Sequence, residues 1–194
     1  MRRSRSVPLV LFAALTACDR PARELMAPDR APSAVSPAAV TAKMGSVAGA
    51  KAGGHADIHG TPVQNVRDQT YSFTAVSDGA PPLAKGQFES HTLRFTGEEI
   101  SVHADVTCLS IVGNQAWVGA RVRRWVTNGQ EQPAFAGIPM IFRVVDIGEG
   151  GGTTDLASLT FFPPAPGTAL AHCSGRPAFP ILRESTNGNI QVRP

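Results

Sequence analysis

The sequence predicts an all-β domain, arranged as a single antiparallel barrel of about eight strands, with a β-sandwich as the alternative. Three observations support this class. Short runs of alternating apolar and polar residues recur after residue 58, and glycine- and proline-rich turns separate them. No segment shows convincing helical periodicity. The long consecutive hairpins favour a barrel in which neighbouring strands run up and down.

The predicted strands follow one another at short intervals. They are residues 71–76, 86–95, 100–112, 115–126, 139–146, 156–162, 168–173, 178–182 and 190–193. The clearest hairpin joins the third and fourth strands, because the two-residue loop Gly113-Asn114 is typical of a tight turn between β-rich runs. Pro139 is tolerated at the start of its strand, and Asn187-Gly188 predicts a turn before the last one.

The first eighteen residues have the layout of a secretory signal. Residues 2–5 carry three arginines, and the apolar run 7–15 is too short to span a bilayer. The tail Leu15-Thr16-Ala17-Cys18 resembles the lipobox of bacterial lipoproteins. That resemblance implies cleavage before Cys18 and its acylation, with palmitate among the acyl chains. An ordinary cleaved signal without lipid is the alternative.

The chain is therefore predicted to contain three segments. Residues 1–17 are the lipoprotein signal peptide, residues 18–57 a flexible tether, and residues 58–194 the β-domain. The tether is rich in alanine, proline and glycine and has no aromatic residue. Such a composition buries too little apolar surface to offset the entropy lost on ordering.

Charge excludes one class of function. The full chain has 18 basic and 15 acidic residues, and the two numbers become equal once the three arginines of residues 1–17 are removed. Binding of nucleic acid requires a basic face that displaces counterions. We therefore expect no nucleic-acid partner for the mature chain.

Two cysteines remain once Cys18 carries lipid. In an exported protein, Cys108 and Cys173 predict one disulfide. Two unpaired buried thiols are the alternative. Neither cysteine belongs to a Cys-x-x-Cys pair, so redox catalysis is not expected.

The fourth predicted strand offers the best candidate for ligand binding. Alternate residues of a strand point to opposite faces, so Trp117, Arg121, Arg123 and Trp125 are predicted to share one face. Such a face can stack on a sugar or hold an anionic group. A solvated outer face with arginine packed on tryptophan is the alternative.

Two segments carry weaker metal candidates. Asp146, Glu149 and Asp155 lie in a glycine-rich loop that offers oxygen ligands for calcium, although their spacing differs from an EF-hand. A polar turn between strands is the alternative. His55, Asp57 and His59 occupy alternate positions of an extended segment and are candidate ligands for zinc or copper. A solvated linker is the alternative.

The candidates for catalysis are few. His103 and Asp105 are predicted to lie on one face of the third strand, where they can form an acid–base group with Ser101. The chain contains no Gly-x-Ser-x-Gly, His-Glu-x-x-His or glycine-rich phosphate loop. We assign no catalytic residue and expect no cofactor.

A further resemblance covers most of the chain after Gln69. Residues 105–119, together with 85–88 and 145–150, resemble a group of uncharacterised exported proteins of soil bacteria and actinobacteria. The resemblance implies that residues 106–119 form the structural centre of the fold. It implies no activity, ligand or catalytic residue.

These expectations combine into one hypothesis. The chain is predicted to be a lipoprotein of the bacterial cell envelope, anchored to a membrane through Cys18 and facing the periplasm or the exterior. Its function is predicted to be non-enzymatic binding of a small amphiphile, a glycan or a protein partner. A structural or assembly role without a ligand is the first alternative, and a hydrolase or isomerase with a site at the barrel mouth is the second.

Overall fold

The computed structural model describes residues 49–77, 79, 82–148, 154–165 and 167–194. Its strands are β1 (Lys51–His59), β2 (Asp68–Ser77), β3 (Ala84–Leu93), β4 (Glu99–Val112), β5 (Gln115–Thr127), β6 (Gln130–Glu131), β7 (Pro139–Val145), β8 (Leu156–Ser158), β9 (Leu182–Glu184) and β10 (Asn187–Arg193). One α-helix, α1 (Thr168–Gly175), lies in the described part. The prediction of a predominantly β domain is confirmed.

All the strand pairs are antiparallel. The order across the sheet is β10-β1-β2-β3-β4-β5-β7-β8-β9, and β6 pairs with β5 off this path. The sheet curls into a half-barrel that is open rather than closed. From β1 to β5 each strand pairs with the next strand along the chain, as the predicted hairpins require.

The hairpin of β4 and β5 forms where it was predicted. Val112 pairs with Gln115, so Gly113 and Asn114 are the whole loop. Gly113 has a φ of 59°, a conformation that costs glycine little and other residues more. The prediction of a two-residue turn here is confirmed.

Two register shifts interrupt the pairing of β4 with β5. Arg124 pairs with His103 while Val122 pairs with Ala104, which leaves Arg123 as an extra residue in β5. A second shift leaves Thr107 extra in β4. An extra residue reverses which face the following side chains occupy. The two bulges therefore decide which parts of this hairpin face the core.

Aromatic side chains fill the concave side of the half-barrel. Phe142 lies with its ring centroid 5.0–5.4 Å from those of Tyr71, Phe73 and Phe88. The Tyr71 hydroxyl donates to the Ser158 carbonyl at 3.2 Å. Burial of Tyr71 raises the pKa of its phenol far above the usual range. These contacts make the interior a packed core.

The folded domain begins earlier than predicted. Residues 51–57, assigned to the tether, form most of β1, which pairs with both β2 and β10. The inward positions Ala52, Gly54 and Ala56 are small because neighbouring backbone lies close. A Cβ atom on Gly54 would overlap the Asn189 carbonyl oxygen. The small residues of 51–57 therefore reflect close strand packing.

The segment predicted as a strand at 168–173 is helical, which corrects that prediction. Helix α1 lies on the outer face of the sheet, the side opposite the aromatic core. The predicted disulfide is present and holds it there: Cys108 and Cys173 are 2.07 Å apart at sulfur. A Cβ atom on Gly119 would lie 2.5 Å from the Cys108 sulfur, so β5 needs glycine beneath this bridge.

Two other strand predictions are only partly correct. The strand at 156–162 ends at Ser158, and the strand at 178–182 is mostly loop before β9. The predicted turn Asn187-Gly188 lies inside β10 instead. Gly188 pairs with Ala56 there, and a Cβ atom on it would overlap the His55 carbonyl oxygen.

Candidate functional site

The two tryptophans lie on opposite faces of β5, so the predicted shared Trp–Arg face is wrong. Trp117 lies on the outer face beside α1, whereas Trp125 belongs to the core cluster. The reason is the bulge at Arg123, which reverses the alternation between the two tryptophans. Alternation read from the sequence assumes an uninterrupted strand, and no residue pattern marked this bulge.

Trp125 is packed away from solvent. Its ring stacks on Phe135 at 4.6 Å and meets Phe162 edge-on at 4.9 Å. Its indole Nε1 donates to the Thr127 hydroxyl at 3.0 Å. These contacts occupy both the ring and its polar atom.

Trp117 holds the chain that follows α1. Its Nε1 donates to the Pro177 carbonyl at 2.8 Å, and the Arg143 guanidinium lies 5.5 Å from the ring centroid. Arg143 Nη1 donates to the carbonyl oxygens of Ala178 and Pro180, the latter at 3.1 Å. Burial lowers the pKa of Arg143. No sequence pattern marked this arginine, because its role depends on contacts with a loop far along the chain.

The two predicted arginines remain on the outer face. Arg121 Nη1 donates to the Gly137 carbonyl at 3.3 Å. Arg123 Nη1 lies 3.7 Å from the Asp105 carboxylate, and both side chains are exposed. Of the four predicted ligand-binding residues, the arginines are therefore the pair that solvent reaches.

The predicted acid–base group has different partners. His103 Nδ1 lies 2.7 Å from the Glu89 carboxylate, while Asp105 faces Arg123. Ser72 and Thr74 lie beside these residues in a polar depression of about 220 Å³ on the outer face. Its carboxylate, imidazole and guanidinium groups suit the hydroxyl groups of a sugar.

His55 and His59, the predicted zinc or copper ligands, each lie beside a different carboxylate. His55 Nε2 lies 3.3 Å from the Asp57 carboxylate, and His59 Nδ1 lies 2.7 Å from the Asp68 carboxylate. Hydrogen bonds from Arg67, and then from His59, hold the pKa of Asp68 below its usual range. The described residues contain no group of three or more His, Cys, Asp and Glu side chains that could hold a metal ion.

Two carboxylates of the predicted calcium loop accept hydrogen bonds from backbone amides. Asp146 follows β7 and Asp155 precedes β8, while Glu149 lies outside the described residues. Asp155 accepts hydrogen bonds from the amides of Ile147 (2.9 Å) and Ile190 (2.7 Å).

Asp146 has the same arrangement. Its carboxylate accepts from the amides of Gly148 and Val192, both at 2.9 Å. Ile190 and Val192 belong to β10, whose other edge pairs with β1. We call this junction between β10 and the two carboxylates the seam. Each carboxylate there is engaged by two backbone N–H groups.

A larger concavity lies on the outer face of β10, β1 and β2. It is a shallow groove of about 430 Å³, and its lining residues are Lys51, Ala52, Gly53, Gly54, Thr74, Ala75, Val76, Asn189, Gln191 and Arg193. The lining contains two cations and no acidic residue. Thr74 also lines the polar depression, so the two concavities share this residue.

The pairing register of β1 with β10 explains why two cationic residues lie next to each other at this groove. Lys51 pairs with Arg193 on one side and with Val76 on the other, and all three side chains are exposed. Neighbouring strands lie about 4.8 Å apart. Two cationic residues therefore occupy directly paired positions of adjacent strands, and Arg193 Nη2 also donates to the Gln191 side-chain oxygen at 2.9 Å. No sequence pattern marked this pair, because β1 was assigned to the tether and its pairing with β10 is long-range.

The remaining predictions concern the N-terminal region and the family. Cys18, the signal and tether residues 18–48 lie outside the described residues. In the described part, no helix is both long and apolar enough to cross a membrane. Comparison of the chain with protein-family models, with curated proteins and with solved structures finds no match.

Proposed function

We propose that this protein is a non-enzymatic binding module of the bacterial cell envelope, anchored to a membrane through acylated Cys18. Its ligand is a small anionic amphiphile, bound on the outer face of the sheet. The observation that carries the proposal is the Lys51–Arg193 pair at the groove over β10, β1 and β2. We further propose that the curled sheet is a barrel-type architecture rather than a sandwich.

Electrostatics supports an anionic ligand. Like charges directly opposite each other on adjacent strands destabilise a sheet. An anionic group between Lys51 and Arg193 would relieve that repulsion, and a guanidinium pairs well with carboxylate or phosphate oxygens. The groove lining offers no carboxylate of its own to do this.

The shape of the groove supports an apolar portion in the ligand. Gly53 has no side chain to fill the groove, and Val76 is 38% exposed beside it. The concave side of the sheet is a packed aromatic core, so the outer face provides the better space for a ligand. An alkyl chain laid along the groove would cover Val76 and the Thr74 methyl group.

Calorimetric titration of the full chain tests this proposal. The probes are decyl phosphate, below its critical micelle concentration, and uncharged decyl maltoside. We expect decyl phosphate to bind and the Lys51→Gln/Arg193→Gln variant to bind it at least about tenfold more weakly. The matched control is Arg121→Gln/Arg124→Gln, which removes the same charge from β5. Equal loss in both variants, or no binding of decyl phosphate, would overturn the proposal and favour a structural role.

The polar depression supports a second candidate, a glycan ligand. Glu89, His103 and Arg123 provide hydrogen-bond acceptors and donors around a concavity smaller than a drug-sized site. A glycan array probed with the full chain tests it. We expect signals that Glu89→Gln reduces and that the control His91→Gln, on the same strand, leaves unchanged. Signals insensitive to Glu89→Gln would contradict it.

The anchor has its own test. Cys18→Ser is expected to leave an unprocessed, unlipidated precursor, because the lipobox cysteine accepts the lipid before cleavage. Mass spectrometry of the N-terminal peptide checks this. Normal processing and membrane retention of the variant would contradict the anchor without affecting the groove.

A further inference from the structure

The loop after α1, residues 176–181, is held from beneath by buried side chains. Pro177 accepts a hydrogen bond from Trp117 Nε1 at 2.8 Å, and Arg143 Nη1 donates to two further carbonyl groups of the loop. Trp117 and Arg143 are only 7% and 8% exposed. The backbone of this loop is therefore fixed against the sheet.

Apolar side chains of the same loop face solvent. Phe179 is 46% exposed and Ile181 is 69% exposed. Phe161, 43% exposed, meets Phe179 edge-on with ring centroids 4.9 Å apart. We call these three residues the Phe179 patch. Contiguous exposed apolar groups on a fixed loop are typical of an interaction surface.

Charge around the patch indicates the kind of partner. Arg176 and Arg183 flank the loop in sequence and both are half-buried. Arg183 Nη2 donates to Gln64 Oε1 at 2.9 Å, and the exposed Glu184 follows it. Aromatic and aliphatic side chains next to arginine suit the boundary between lipid headgroups and acyl chains, where anionic phosphate is available. A protein surface matched to this patch would need both apolar and acidic groups.

We propose that the Phe179 patch rests on an anionic lipid surface. The proposal rests on the membrane anchor proposed above, because three apolar side chains bind lipid weakly on their own. A tethered domain stays close to the bilayer, which gives the contact a high effective concentration. The anchor and the patch would together set how the domain lies on the membrane.

Fluorescence quenching of the full chain tests this contact. Phe179→Trp is mixed with vesicles of phosphatidylethanolamine and phosphatidylglycerol in a 7:3 ratio, with and without brominated acyl chains. Val112→Trp is the matched control, because Val112 is 49% exposed beside the turn of the β4–β5 hairpin. The native Trp117 and Trp125 give the same background in both variants.

We expect brominated lipid to quench Phe179→Trp at least about twofold more than Val112→Trp, and less when phosphatidylcholine replaces phosphatidylglycerol. Equal quenching in the two variants would overturn the proposal. A blue shift of the new tryptophan with protein concentration in the absence of lipid would also overturn it, in favour of contact between copies. An unchanged unfolding temperature checks that each variant folds, and Ile181→Trp replaces Phe179→Trp if that variant does not.

The same samples separate failure of the anchor from failure of the patch. Cosedimentation with vesicles without preferential quenching at residue 179 would leave the anchor intact and overturn the patch. Preferential quenching with an unmodified Cys18, established by N-terminal mass, would support the patch and overturn the anchor. Absence of cosedimentation would overturn both.

Discussion

The β4–β5 hairpin and the seam satisfy the hydrogen-bonding groups of the strand backbone in different ways. In the hairpin, each strand pairs with its neighbour in sequence through a two-residue turn. At the seam, Asp146 and Asp155 accept from amides of β10, which lies at the opposite end of the sheet order. Local pairing therefore builds most of the sheet, whereas two long-range side chains hold its open edge.

The difference has an energetic consequence. Loss of one backbone hydrogen bond within the hairpin leaves many others in place. At the seam, in the described bonds, the Ile190 amide donates to the Asp155 carboxylate alone and the Val192 amide to the Asp146 carboxylate alone. Unpaired strand edges also invite pairing with other chains. We therefore expect the seam to open locally before the hairpin does.

The largest expected effect comes from the core that supports the hairpin strands. Phe142→Ala removes a fully buried ring that contacts three others. It should reduce the free energy of unfolding by about 4–5 kcal/mol, because the surrounding rings cannot close the cavity. Urea denaturation measures this, with Phe142→Leu as the milder control. A loss below about 1 kcal/mol would contradict a closely packed interior.

Loss of the disulfide is expected to have a slightly smaller effect. Cys108 and Cys173 are separated by 65 positions, so the bridge restricts a long loop in the unfolded chain. Cys108→Ser/Cys173→Ser should therefore cost about 4 kcal/mol if the bridge acts through chain entropy. Denaturation of the wild-type chain with and without reductant gives the control. If reduction leaves stability unchanged, α1 does not depend on this bridge.

Removal of one seam carboxylate should cost about 2 kcal/mol. Asp155→Ala leaves the amides of Ile147 and Ile190 without their acceptor. Asp105→Ala is the matched control, because that carboxylate is exposed and faces only Arg123 at 3.7 Å. Thermal unfolding of both variants checks the difference. Similar effects in the two would show that the seam carboxylate has no special role.

The smallest expected effect depends on pH. Burial, together with the nearby Arg143, lowers the pKa of His172 from 6.5, although its bond to the Phe142 carbonyl opposes this. Its Nδ1 is buried without a partner, so protonation there is unfavourable. Below about pH 6.5 the unfolded chain binds this proton, whereas His172 in the folded chain stays neutral to lower pH. Stability is therefore lost as pH falls through that range, and retained above it.

Urea denaturation of wild type and His172→Gln between pH 7.5 and 5 measures this contribution. We expect the decline in stability toward acid to be shallower in the variant. His91→Gln, at an exposed position on β3, is the control and should keep the wild-type slope. Parallel curves for all three proteins would contradict a buried neutral His172.

Features that depend on neighbouring residues were predictable from the sequence. The alternation of apolar and polar residues predicted β2 to β5, and the dipeptide Gly113-Asn114 predicted the clearest turn between them. The expectation of export to an oxidising compartment, together with the two cysteines that remain besides Cys18, predicted the disulfide, and these arguments need no knowledge of the fold.

Features that depend on long-range contacts were not predictable in the same way. The small residues of β1 resemble a tether until β10 is known to lie against them. The bulge at Arg123 separates the two tryptophans, and no residue type marks a bulge of this kind. Asp146 and Asp155 suggested calcium because the β10 amides that donate to them are more than thirty positions away in sequence.

Hydrogen exchange of the Ile190 and Val192 amides tests the seam most directly. We predict that both amides are protected in the wild-type chain and that Asp155→Ala selectively accelerates exchange at Ile190. Protection of Val118 in the hairpin should be unchanged by this variant. Unchanged protection of Ile190 in Asp155→Ala would contradict the seam, because the carboxylate would then not be what holds the open edge.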